Sequence, residues 1–173
     1  VCGNSPDNPS KRDVNIEIQS MTEADVDEAV ALIATAMNVD EAAWARETMA
    51  YYFKCKQNDI DSGREYFVWR HDGRVRGGVG LHRYLWGPRE NVWLSWFAVH
   101  PELQGMNVGS MLLSAIEKRA REAGFKKFLV ETYDSPDFEK AVAFYKARGF
   151  SLSGEIKKYL PDGSPMLVFS KSI

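Results

Sequence analysis

His100 to Phe125 reads HPELQGMNVGSMLLSAIEKRAREAGF, and its two halves speak different languages. Gln104-Gly105-Met106-Asn107-Val108-Gly109 is rich in residues that favour turns over helix. From Val108 the apolar positions then recur on a helical period until Gly124, the residue type that most often follows a helix end. A helix start leaves backbone N–H groups without intrahelical partners, and the helix dipole adds partial positive charge there. A phosphate satisfies both without a single lysine. As a bare pattern the segment also reads as a plain strand-to-helix connection, and both readings stay open at this point.

Working outward, "NVWLSWFAV" before the loop is a strand and "KKFLVETY" after the helix is another. Further upstream, "VNIEIQSM" alternates apolar and polar residues as a half-buried strand does. Thr22 followed by Asp25 caps a helix over Glu23–Met37. A second helix runs from Asp40 to Lys56. "EYFVWR" and "RVRGGVGLHRYLW" form a hairpin through Asp72-Gly73. Gly77, Gly78 and Gly80 mark a bulge or a close backbone approach in the second of these strands. Downstream, "DFEKAVAFYKAR" is a helix closed by Gly149. Two final strands flank the Pro161-Asp162-Gly163 turn. The order strand, two helices, three strands, helix, strand, helix, two strands predicts an α/β fold with helices on the faces of one sheet.

The 173 residues suit one domain with a sizeable core. Residues 1–13 are turn-formers and charges and read as a disordered arm, leaving 14–173 as a single domain. A net charge of −2 offers no general attraction for nucleic acid or anionic lipid. Cys2 and Cys55 are too few for a disulfide framework or zinc site. With neither a membrane-spanning run nor a signal-peptide pattern, the cytoplasm is the expected compartment. There is no Walker loop, no G-x-G-x-x-G, no H-E-x-x-H and no nucleophile elbow, so no metal site is expected.

A second motif, "AVAFYKARGF" (Ala141–Phe150), lies about thirty residues beyond the loop. Alone it is an amphipathic helix that packs Ala141, Phe144 and Tyr145 inward. Together with "VHPELQGMNVGSMLL" it resembles the GNAT superfamily of acyl-CoA N-acyltransferases. Gln104 and Gly109 match that family's phosphate loop. Asn107 stands in for its first glycine and tolerates positive φ better than most residues. Phe138 stands where the family often has asparagine.

The resemblance implies a mixed central sheet of about seven strands flanked by about four helices, with acetyl-CoA held between two splayed parallel strands, "LSWFAV" and "FLVETY". It implies that the backbone of Phe97, Ala98 and Val99 pairs with the pantetheine arm. Gln104, Gly105, Met106, Asn107, Val108, Gly109 and Ser110 wrap the pyrophosphate. Tyr145 is implied as the acid that meets the departing thiolate. Glu131, at the end of "FLVETY", is the preferred base, with His82 and His100 as alternatives. Each also has a plain reading: core ring, strand-end acceptor, exposed histidine. Tyr84, Trp86, Trp93 and Trp96 are candidate walls for the acceptor. The implied reaction is acetyl transfer to a primary amine of a small molecule, amino acid or peptide by direct attack. The alternative is a non-catalytic acyl-CoA-binding domain. Neither nucleic acid nor membrane is an expected partner, and homodimerisation is left open.

Overall fold

In the computed structural model, which describes residues 16–173, the elements follow the expected order. They are Gln19–Ser20 (β1), Val26–Ala36 (α1), Val39–Gln57 (α2), Arg64–His71 (β2), Arg74–His82 (β3), Asn91–Val99 (β4), Val108–Glu122 (α3), Lys127–Tyr133 (β5), Glu139–Ala147 (α4), Ser151–Ile156 (β6) and Met166–Ser172 (β7). The strands form one sheet in the order β1-β2-β3-β4-β5-β7-β6. β4 and β5 run parallel, and every other neighbouring pair is antiparallel. The expected N-terminal arm lies outside the described residues.

Local signals explain most boundaries. The Thr22 N–H and hydroxyl both donate to the Asp25 carboxylate at 2.9 Å, which fixes the turn entering α1. Asp72 and Gly73 take φ of 50° and 74°, the left-handed pair that a tight β2–β3 turn requires. Two expectations are corrected. The first strand shrinks to β1, paired with β2 through Gln19 and Ser20 only. Ile16 and Ile18 still pack on the core, so the alternation reports burial rather than a long ladder. β3 ends at His82 and does not run on to Trp86, because the Arg83 N–H turns to the Gly63 carbonyl at 2.8 Å.

Apolar side chains bury on both faces of the sheet. α1 and α2 cover Tyr66, Val68, Val75 and Ala98. α3 and α4 cover the other face, over Phe67, Val79, Leu94, Phe128 and Val130. On α3 the stripe Val108, Leu112, Leu113, Ile116 and Ala120 is almost wholly buried. Each large side chain there contributes roughly 1.5–3 kcal/mol. Glu117 interrupts that stripe, and Lys171 of β7 neutralises it at 2.9 and 3.0 Å.

The glycines of β3 mark a close approach. A Cβ at Gly80 would lie 2.7 and 2.8 Å from the Tyr66 ring and 3.2 Å from the Glu65 carbonyl. Gly80→Ala is therefore expected to destabilise by about 1–3 kcal/mol, the usual cost of overpacking. At roughly 2–4 °C per kcal/mol for a chain of this size, a melting curve resolves that loss. An unchanged Tm would mean that the Tyr66 ring moves aside freely.

Candidate active site

The site begins with an irregularity in β4. On β3, Gly78 and Gly80 are two apart; their partners on β4, Ala98 and Ser95, are three apart. The extra residue is a β-bulge, and Trp96 within it takes φ 46°. The bulge bends β4 away from β5, whose parallel pairing stops at Trp93 opposite Leu129. Beyond that point the strands part into a V. Ala98 and Val99 stay paired with β3, so their other edge faces the gap. Trp96 is fixed by its indole N–H, which donates to Thr48 Oγ1 of α2 at 2.8 Å.

The loop lies at the mouth of the V. Gly105 and Asn107 take φ of 77° and 64°, so asparagine does hold the left-handed position in place of a glycine. The Gln104 side chain donates to the Val99 carbonyl at 3.0 Å and ties the loop to the end of β4. The first rung of the α3 ladder is Met111 N–H to the Asn107 carbonyl, 3.1 Å. Among the described residues the N–H groups of Val108, Gly109 and Ser110 have no acceptor. They present the donor set that suits an anion at a helix start. Gly109 is lined by Phe144 at 3.6 Å and Val99 at 3.9 Å, measured from a built Cβ.

Arg148, which sequence reasoning passed over, donates to Ser110 Oγ and lies over the Phe144 ring. It brings a permanent cation to those free donors. Its signal was its place immediately before Gly149, where the end of α4 returns towards the start of α3.

Tyr145 approaches from the α3/α4 face. Its ring packs against Phe97, Phe144 and Phe150, with centroids 5.5–6.4 Å apart. The residue is 6% exposed, and among the described residues its hydroxyl has no hydrogen-bond partner. Burial pushes the phenol well above its usual range, so it stays protonated at any physiological pH.

The carboxylates gather on the opposite, α1/α2 face. Arg64, His82, Trp93 and Leu129 pair across four strands and so share one face, and Glu131 and Tyr133 follow Leu129 on it. Glu131 is open to solvent, yet protein surrounds it closely enough that desolvation raises its carboxyl above the usual range, against a lowering influence from Arg64. A carboxylate in a concave wall is both accessible and poorly hydrated. Glu41, in the first turn of α2, joins it there. It is 8% exposed, and burial with the nearby charges of Glu131 and Asp40 pushes it up to about 7. Tyr133 is raised by its own burial and by Glu41, Glu131 and Tyr159; its ring stacks on Tyr159 at 6.1 Å.

The histidines are placed differently from one another. His82 stacks on Trp93 at 6.1 Å, and burial and Arg64 push it down to about 4. The basicity that recommended it from its ordinary pKa is lost. His100 follows β4, where its Nδ1 accepts the Glu102 N–H at 3.4 Å. Of the four aromatics, Trp93 and Trp96 are partly buried, while Tyr84 and Trp86 are 51% and 86% exposed. Among the described residues no cluster of three metal-ligating side chains occurs, and no helix is long and apolar enough to cross a membrane.

Comparison with known proteins bears on the family and the fold. The model of the Acetyltransferase (GNAT) family matches residues 27–150. An amino-acid acetyltransferase from Mannheimia succiniciproducens is 34% identical over 89 residues, 51% of this chain. That match covers only 18% of the relative's own length. A GNAT-family structure from Desulfovibrio desulfuricans superposes with TM-score 0.80 at 17% identity, over 91% of this chain and 99% of that one. A GNAT family acetyltransferase from Elizabethkingia anophelis, with acetyl-CoA bound, gives TM-score 0.69 at 17% identity, over 92% and 99%. These structures share the seven-stranded fold. With 124 of its residues spanned by the family model, this chain belongs to the GNAT acetyltransferase family, whose acyl donor is acetyl-CoA.

Proposed function

We propose that the protein transfers an acetyl group from acetyl-CoA to a primary amine of a small molecule, amino acid or peptide, by direct attack. One observation carries the reading: the V separates two chemistries. A phenol held protonated enters from the α3/α4 face, carboxylates line the α1/α2 face, and free N–H donors stand at the mouth. The loop Gln104 to Ser110, with Arg148 beside it, would hold the pyrophosphate. The open backbone edge of Phe97, Ala98 and Val99 would pair with the pantetheine arm and present an N–H to the thioester carbonyl. Such a donor stabilises the oxyanion of the tetrahedral intermediate.

An amine of pKa near 10.4 is only about four parts in ten thousand neutral at pH 7, so a base adds to the rate. Glu131 takes that role. Carbon–nitrogen bond formation is followed by carbon–sulfur cleavage, and Tyr145 donates a hydrogen bond to the sulfur as negative charge develops there. A raised phenol does not hand its proton over outright to a thiol of ordinary pKa near 8.5. The second amine proton completes the thiol instead.

Acetyl-CoA is expected to bind and raise Tm, and adding primary amines is expected to release CoA thiol. Gly109→Val keeps the fold, since its Cβ meets only ordinary contacts. Its branches crowd the donors, and loss of one charge-assisted hydrogen bond raises Kd for acetyl-CoA roughly tenfold or more. Wild-type affinity in that variant would remove the loop from the binding site. Acetyl-CoA binding without amine-dependent thiol release would favour the non-catalytic alternative.

A further inference from the structure

We propose that Arg64 receives a carboxylate of the acceptor, so that the amine this protein acetylates also carries an acid group, as an amino acid does. The inference rests on the acetyltransferase reading above and narrows its substrate class.

The pairing of charges singles this residue out. Among the described residues the partly buried arginines are Arg64, Arg70, Arg76 and Arg83. Arg70 meets Asp25, Arg76 meets Glu102 at 3.4 Å and Arg83 meets Asp61. Among the described residues no carboxylate and no side-chain hydrogen bond reaches the Arg64 guanidinium, although the residue is partly withdrawn from water. A guanidinium is a planar fork of donors, and a carboxylate is the anion that matches it bidentately.

The sheet sets Arg64 at one end of a row that finishes at the base. Arg64 of β2 pairs with His82 of β3, His82 with Trp93 of β4 and Trp93 with Leu129 of β5, and Glu131 follows on the same face. β2 and β5 are three strand spacings apart, about 14–15 Å. Arginine and glutamate are both long side chains, so the span left between them suits a small molecule with an amine at one end and an acid at the other. Desolvation, and after it the Arg64 charge, governs the titration of both His82 and Glu131, which places the guanidinium within electrostatic reach of each. The surface between the two ends is aromatic. His82 stacks on Trp93 at 6.1 Å, and Tyr84 stands edge-on to both rings, at 5.7 and 6.2 Å.

Two buried polar atoms adjoin Arg64 and lack a protein partner among the described residues. Tyr66 follows Arg64 on the same face of β2, and its hydroxyl is unbonded; His82 lies directly across from Arg64, and its Nδ1 is unbonded. Buried polar atoms are nearly always bonded in folded proteins, so two orphans beside an unpaired guanidinium point to a polar ligand. A phenol and a neutral imidazole each have one proton to donate. With the guanidinium they make a donor set for an anion. The place of Tyr66 is built into β3, since its ring lies where a Cβ on Gly80 would come within 2.7 and 2.8 Å.

The test compares CoA release from amino acids with release from their amides and from the corresponding decarboxylated amines, at one pH, with a melting curve for each protein. The wild type should favour the acids by about tenfold or more in kcat/KM. Arg64→Gln should lower kcat/KM for the acids by about 10–100-fold, the effect of losing a hydrogen bond between charged groups, and chiefly through KM. The acid-free counterparts should fall far less, so the preference collapses. The ratio isolates the carboxylate contact, because the influence of Arg64 on Glu131 acts on every acceptor alike. Arg64→Lys keeps the charge without the fork and should retain part of the preference. The Kd for acetyl-CoA should stay within about twofold in both variants. A wild type that releases thiol as fast from the acid-free amines overturns this inference and leaves the acetyltransferase reading standing. So does a folded Arg64→Gln protein that keeps the preference; if that variant does not fold, the wild-type ratio and Arg64→Lys decide. A wild type that binds acetyl-CoA but releases no thiol with any of these amines overturns the acetyltransferase reading, and this inference with it.

Discussion

Glu131→Gln is expected to lower kcat by about 10²–10⁴-fold at neutral pH, the usual cost of losing a general base, while the Kd for acetyl-CoA stays within about twofold of the wild type. The two effects separate because Glu131 lies on the α1/α2 face of β5, whereas the free donors lie at the start of α3. A base acts ionised, so the acidic limb follows its raised carboxyl, with the rate falling as pH drops through that range. The amide variant has no proton to lose there. It also removes one of the charges that raise Glu41, so whatever limb remains should move to lower pH. Steady-state thiol release from pH 5 to pH 9, run beside acetyl-CoA titration, reads all of this. A normal limb and rate in a folded Glu131→Gln protein would return the proton to His100, to Glu41 alone or to the acceptor's own titration.

How far these residues were legible differs by kind. Helices, turns and the loop were legible because their causes are local. Asp72-Gly73, Gly124 and Gly149 occupy left-handed or turn positions that few residues suit, and Asn107 takes φ 64° where the family pattern has glycine. The bulge was not legible. The weak glycines are on β3, but the extra residue is on β4, where Trp96 and Phe97 stand opposite Val79, and register belongs to a pair of strands rather than to either sequence. His82 departs from its residue type for a tertiary reason. An ordinary histidine titrates near neutrality, whereas burial beside Arg64 takes this one to about 4. Arg148 lies in a segment that reads as an ordinary helix end, and only the return of α4 towards α3 sets it beside Ser110. In each miss the deciding fact was what tertiary structure set beside the residue.

Tyr145→Phe is expected to fold, to bind acetyl-CoA and to turn over about 10–100-fold more slowly, the range set by about 1.5–3 kcal/mol for a hydrogen bond to a charged group. The size follows from what the hydroxyl does. Burial holds the phenol so far above its usual range that complete transfer to a thiolate is uphill. What is lost is a donor aimed at developing charge, not a proton source, so the effect falls below that of removing the base. Stability should change little. Among the described residues the hydroxyl has no protein partner to strand, and the ring keeps its contacts with Phe97, Phe144 and Phe150. The deficit should also depend on the leaving group. An acyl donor whose thiol is more acidic needs less help at sulfur, so the ratio of wild-type to variant rates should shrink with such a donor. Measuring kcat for both proteins with acetyl-CoA and with an acetyl thioester of a more acidic CoA analogue tests this. Equal rates with both donors in a stable Tyr145→Phe protein would make the ring core packing and leave the sulfur to be met by water or by the Arg148 end of α4.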